Sequence, residues 1–158
     1  MPSKKSSNKS SNKSSKKSSN KSSNKSSNKS SNKSSKKSNK KGGSPREHKE
    51  HVSEPWYTLI SMGLKTVEGR KNKGKFKDMK VGDIIEWHNN DFKARSVKVR
   101  ITKKKVYPTF AEYLTKEGLQ NCLPGIPSLE HGLSVYFKYY TTADEQEYGV
   151  MAIRMAKI

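Results

Sequence analysis

Gly63-Leu64-Lys65-Thr66-Val67-Glu68-Gly69-Arg70 decides the fold, because it joins the end of one regular element to the start of another. Upstream, Glu54 to Met62 reads as a short helix. Pro55 suits its first turn, and Gly63 suits the left-handed residue that ends it. Trp56, Leu59, Ile60 and Gly63 fall on one face of that helix. From Lys65 the chain switches to a two-residue alternation. In a strand, Lys65, Val67 and Gly69 point one way and Thr66, Glu68 and Arg70 the other.

Working outward, Lys71 to Lys80 is a basic, glycine-containing loop, Val81-Gly82-Asp83 is a turn, and Ile84 to Trp87 is a strand. His88 to Asp91 is a polar turn. Arg95 to Lys105 alternates, with Val97, Val99 and Ile101 inward and Lys98, Arg100 and Thr102 outward, as in a half-buried antiparallel strand. Thr109-Phe110-Ala111-Glu112 has the form of a capping box opening a helix to about Lys116, and Gly118 stops it. Leu123-Pro124-Gly125-Ile126-Pro127 is a rigid loop. Ser128 caps a helix whose Leu129, Leu133 and Tyr136 share a face. Thr142 to Glu145 reads as a second capping box, closed by Gly149. Val150 to Ile158 is the last strand, with Met151, Ile153 and Met155 on one face. Val97, Val99, Ile101, Leu133 and Ile153 are the expected core. This order predicts an α+β fold: a small antiparallel β-barrel with flanking helices.

The 158 residues carry a formal charge of +20, but unevenly. Residues 1–41 hold 14 lysines, no acid and one apolar residue, Met1, in a Ser-Ser-Asn-Lys cycle. The remaining residues hold 20 basic and 14 acidic groups, a net of +6. Ordering the repeat would cost roughly 1–2 kcal/mol per residue with nothing buried in return. Residues 1–45 therefore read as a disordered low-complexity tail and 46–158 as one domain, with Gly42 to Pro45 as the joint. Such a tail can serve as a solubilising arm or as a polycation that grips phosphates without sequence preference. Its serines could be phosphorylated, which would cancel its charge.

No apolar run reaches the roughly 18 residues of a membrane span, and no apolar segment marks a secretory signal, so no membrane association is expected. One cysteine, Cys122, leaves no intramolecular disulfide and no cysteine-rich zinc site, which fits an intracellular protein, cytoplasmic or nuclear. No His/Cys/Asp spacing marks a metal site, and no cofactor is expected.

Two stretches together resemble the ASCH (activating signal cointegrator homology) family of the PUA-like superfamily. One is Gly63-x-Lys65-Thr66-x-Glu68-x-Arg70 before Val81-Gly82-Asp83. The other is Glu117-Gly118-Leu119, Leu123-Pro124-Gly125, then Tyr136 to Tyr140 and Tyr148-Gly149-Val150. The likeness covers about residues 52–157. It implies a PUA-like β-barrel with a cleft beside the first helix, and binding of RNA or another nucleic acid. The function itself rests on the site.

Lys65, Glu68 and Arg70 offer a point charge, an acceptor and a planar donor fork, a set that can hold a nucleotide. An alternative is a structural Glu68–Arg70 ion pair. Lys73 and Lys75, within the basic run Lys71 to Lys80, are candidate phosphate contacts. Lys103 to Lys105 reads as a solvated strand end. Tyr136, Phe137, Tyr139 and Tyr140 cluster on one helix, where Tyr136 suits the core and Tyr139 or Tyr140 could stack on a base. Trp56 and Trp87 read as core, and His51 as linker.

An enzyme is the alternative. Some ASCH-like proteins resemble amidohydrolases that deacylate a modified cytidine with a Lys, a Thr and a distant Glu. Lys65 matches the Lys, but the Thr position holds Glu68. Thr66 is the nearest hydroxyl, and Glu117 or Glu112 could supply the carboxylate. Others look like metal-assisted ribonucleases, where Glu68 and Lys65 could act as acid and base. A protein-interaction adaptor is the third class.

Overall fold

The computed structural model describes residues 43–158. The tail reading therefore lies outside the described residues, except at Gly43-Ser44-Pro45. The elements run β1 (Glu47–Val52), α1 (Trp56–Ser61), β2 (Val67–Lys71), α2 (Gly74–Asp78), β3 (Ile84–Asn89), β4 (Ser96–Tyr107), α3 (Phe110–Glu117), α4 (Leu119–Cys122), α5 (Leu129–Tyr136), α6 (Thr142–Tyr148) and β5 (Val150–Lys157).

The strands form one sheet in the order β1-β3-β4-β5-β2. It curls into a half-barrel, so the expected α+β architecture is present. All pairings are antiparallel except β1 with β3. β4 is the spine: its Val97, Val99 and Ile101 are buried between exposed Lys98, Arg100 and Thr102, as the alternation required. A bulge between Ile101 and Lys103 shifts the register against β5. Beyond it Lys104, opposite Ile153, turns back toward α2, and Lys103 and Lys105 take the other face.

Each face of the sheet carries its own core. On one, Ile85, Trp87, Val99, Ile101 and Ile153 pack with Tyr57 and Ile60 of α1. On the other, Val67, Tyr107, Val150 and Ala152 lie with Phe110, Tyr113, Leu114 and Leu123 from the helical excursion. Trp56 touches both. Gly69 of β2, opposite Ala152, faces the second core, and a Cβ there would lie 2.8 Å from the Tyr113 ring.

Several local expectations need correction. His51, expected in a linker, lies in strand β1, whose Glu47-His48-Lys49-Glu50-His51-Val52 shows no apolar alternation. Polar bonds hold it instead. Asp83 accepts from the Arg46 guanidinium and from His48 at 2.9 Å, and Lys75 reaches buried Glu50 at 2.7 Å. Burial alone would raise the Asp83 pKa, but the N–H donors from Lys80, His48 and Arg46 hold it well below the usual carboxylate range. The basic loop contains α2, whose C-terminal carbonyls take Lys104 Nζ. Strand β3 runs on to Asn89, because β1 continues beside it to Val52. In α1 the buried side chains are Tyr57 and Ile60, since that face of the helix packs on the first core. Leu133 is half-buried and Leu129 is exposed. Thr109 accepts from the Glu112 N–H as expected, but the second box is built one residue earlier, from Thr141 and Asp144. Glu145 instead accepts from the Phe110 N–H at 2.6 Å, tying α6 to α3.

Candidate functional site

Lys65 lies before β2 begins, so strand alternation does not govern it. The backbone N–H groups of Leu64 and Lys65 both bond back to Leu59 O, which turns the chain out of α1. The Lys65 side chain then folds inward and is 1% exposed. Its ammonium donates to Val67 O at 2.9 Å, to Cys122 O, and to Glu68 Oε2 at 2.9 Å. All three of its donors are thus used inside the protein. The expected separation of Lys65 from Glu68 by strand face is overturned.

Glu68 Oε1 accepts from Arg70 Nε at 2.8 Å, so the carboxylate bridges two cations. Burial alone would raise its pKa, but the Lys65 and Arg70 charges outweigh that and hold it below the usual carboxylate range. The Arg70 guanidinium lies about 5 Å from the ring centres of Phe76 and Trp87, with Nη2 on His51 O at 3.2 Å. Burial would lower its pKa; Glu68 raises it, so the guanidinium stays charged.

These residues floor a cleft of about 220 Å³ along the free edge of β2. Trp56, Tyr136, Tyr139 and Tyr140 wall it, and Ser53 and Asn90 add polar atoms at its mouth. It is smaller than the roughly 300–1,000 Å³ of drug-sized sites. The aromatics expected on one helix do not all lie on it. α5 ends at Tyr136, and the turn that follows bonds Tyr139 N–H and Tyr140 N–H to Tyr136 O. Tyr136 is buried, stacked on Phe110 with ring centres 4.5 Å apart, its hydroxyl 3.2 Å from that of Tyr113. Tyr140 is half-buried, whereas Tyr139 is 68% exposed. Burial raises the pKa of both Tyr136 and Tyr140, so both present neutral hydroxyls.

The other candidates lie elsewhere. Lys73 donates to the Tyr148 hydroxyl at 2.9 Å, and Lys75 pairs with Glu50, so neither lines the cleft. Thr66 and Glu117 line a second pocket with Asn121 and Arg154. There Glu117 accepts from Arg154 Nε and from the Tyr107 hydroxyl, both at 2.5 Å. Burial would raise the Glu117 pKa, but those two bonds lower it, while Tyr107 is pushed up to about 12 by burial and by Glu117. Glu112 is exposed. The four residues of a hydrolytic arrangement, Lys65, Thr66, Glu68 and Glu117, are therefore divided between two pockets. Trp56, expected in the core, is only partly buried: it packs against both cores and also walls the cleft. His51, Ser53 and Asn90 carried no signal, because β1 brings them in. Among the described residues no group of three or more His, Cys, Asp or Glu is placed to hold a metal ion, and no helix is long and apolar enough to cross a membrane.

A curled five-stranded sheet with a charged and aromatic cleft beside its first helix defines a small α+β fold. The family model for the ASCH domain matches residues 51–158, and the chain belongs to that family. The crystal structure titled hypothetical protein PH0355 is similar at 38% identity, over 71% of this chain and 99% of that one, with a TM-score of 0.64. The solution structure of protein PF0455 from Pyrococcus furiosus is 38% identical over 71% of this chain and 97% of its own, with a TM-score of 0.59. No curated protein matches the chain.

Proposed function

We propose that this ASCH protein binds RNA or another nucleic acid by taking one unstacked base into the β2-edge cleft. The observation that carries this reading is the pairing of a charged floor with an aromatic wall. Glu68 keeps lone pairs beyond those used by Lys65 and Arg70, and can accept from a base amino group. Exposed Tyr139 offers a stacking face at the mouth. The Lys65 ammonium, with every donor committed, suits a fixed countercharge better than a proton shuttle. That favours binding over turnover. The lysines of residues 1–41 would add phosphate affinity of no sequence preference.

The test titrates the full chain with single-stranded RNA, duplex RNA, DNA and free nucleosides, with mass spectrometry on each mixture. Single-stranded RNA should bind with base preference and leave unchanged. Tyr139→Ala should weaken that preferred binding by about 1–3 kcal/mol, the scale of one stacked base. Equal binding by Tyr139→Ala, or release of a cleaved product, would overturn the proposal.

A further inference from the structure

The sheet face that carries the helices is only partly covered by them. α3, α4 and α5 sit over Val67, Tyr107, Val150 and Ala152. Register places Arg100 opposite Ala156, Lys103 opposite Arg154 and Lys105 opposite Ala152 on the same face. Arg100, Lys103, Lys105 and Ala156 are exposed. Among the described residues, no ion pair involves Arg100, Lys103 or Lys105. Arg154, 43% exposed, uses only Nε on Glu117, leaving the end of its fork for another partner. Between these cations and the helices lies the second pocket, about 270 Å³, where Thr66, Thr102 and Asn121 add neutral hydrogen-bonding groups.

We propose that this bare, basic half of the sheet is a second nucleic-acid surface, which holds the phosphodiester backbone through Arg100, Lys103, Lys105 and Arg154. Lys103 and Lys105, alternate residues of β4, stand roughly 6.6 Å apart, with Arg100 across the bulge and Arg154 beside Lys103 on β5. A patch of exposed cations suits a repeating anion. A protein partner would call for an apolar or aromatic centre, and a membrane surface for an inserting apolar face. Ala156 is the small residue at this centre, and neither feature is built around it. Glu117, the acid of the pocket, is already matched by Arg154 and the Tyr107 hydroxyl. The surface is separate from the base cleft: Lys65 lines one pocket and its neighbour Thr66 the other.

The experiment measures full-chain affinity for a single-stranded oligonucleotide from 50 to 200 mM salt, for wild type, Lys103→Gln/Lys105→Gln and Tyr139→Ala. The double change removes two phosphate contacts. The slope of log affinity against log salt should therefore fall by about 1.4, a loss of roughly 7-fold in salt sensitivity across that range. Arg100→Gln should subtract about 0.7 more. Tyr139→Ala should lower affinity with the slope unchanged, so failure of the cleft and failure of this surface read differently. An unchanged slope in the double variant, with a wild-type melting temperature, overturns the proposal. Loss of binding to phosphatidylserine vesicles without loss on the oligonucleotide also overturns it, assigning the surface to lipid headgroups.

Discussion

Replacing Glu68 with Gln keeps the shape of the side chain and removes only its charge. In the native protein that charge sits between the buried Lys65 ammonium and Arg70 Nε, at 2.9 and 2.8 Å. Removing one member of a buried ion pair costs about 3–5 kcal/mol, because the other charge is left uncompensated. Here Lys65 keeps two carbonyl acceptors, Val67 O and Cys122 O, so the low end applies, about 3 kcal/mol. For a domain of this size that corresponds to a fall of roughly 10 °C in Tm. Urea denaturation of wild type, Glu68→Gln, Lys65→Met and the double variant gives the cycle. The double change should cost about 1–3 kcal/mol less than the two single changes added together. The effect also has a pH signature. The Glu68 pKa is lowered on folding, so its contribution is fully present above the unfolded carboxylate value of about 4.3 and is lost as pH falls through the lower folded value. The gap between wild type and Glu68→Gln should be flat from neutral pH down to about 5 and close at more acid pH. A cost under about 1 kcal/mol, or additive single changes, would refute the description of Lys65–Glu68–Arg70 as one coupled unit.

Gly69→Ala should destabilise by about 1–3 kcal/mol, because its Cβ would press on the buried Tyr113 ring; chemical denaturation would show it, and a neutral result would mean that ring can give way. Cys122 is buried, its thiol pushed up to about 11 chiefly by burial, so it should resist alkylation at pH 8 until the chain unfolds; rapid native labelling counts against that burial. Ile101→Ala should cost about 2–5 kcal/mol, since Ile101 sits in the core opposite Met155; an unshifted denaturation midpoint would contradict the strand phase.

The residues that bind locally were legible in the sequence. The β4 alternation, the helix caps at Thr109 and Ser128, and the ends of α1 and α3 at Gly63 and Gly118 follow from side-chain period, capping chemistry and the one residue without a Cβ. The family was legible too, because its motif lies in contiguous residues. What escaped was every feature held by partners far along the chain. β1 has no apolar period; it is a strand because β3 lies beside it and Asp83 collects Arg46 and His48. Alternation put Lys65 opposite Glu68, yet Cys122 O, 57 residues away, draws the ammonium inward to meet that carboxylate. Spacing put four aromatics on one helix, but the helix ends at Tyr136, which leaves Tyr139 at the mouth of the cleft. Thr66 and Glu117 could not be assigned to a site by sequence, since only the packing of α4 beside β2, where the Thr66 N–H bonds Asn121 O, brings them to one pocket. Local periodicity fixes which way a side chain leaves its own element; the partner it meets depends on which distant segment folding packs against it.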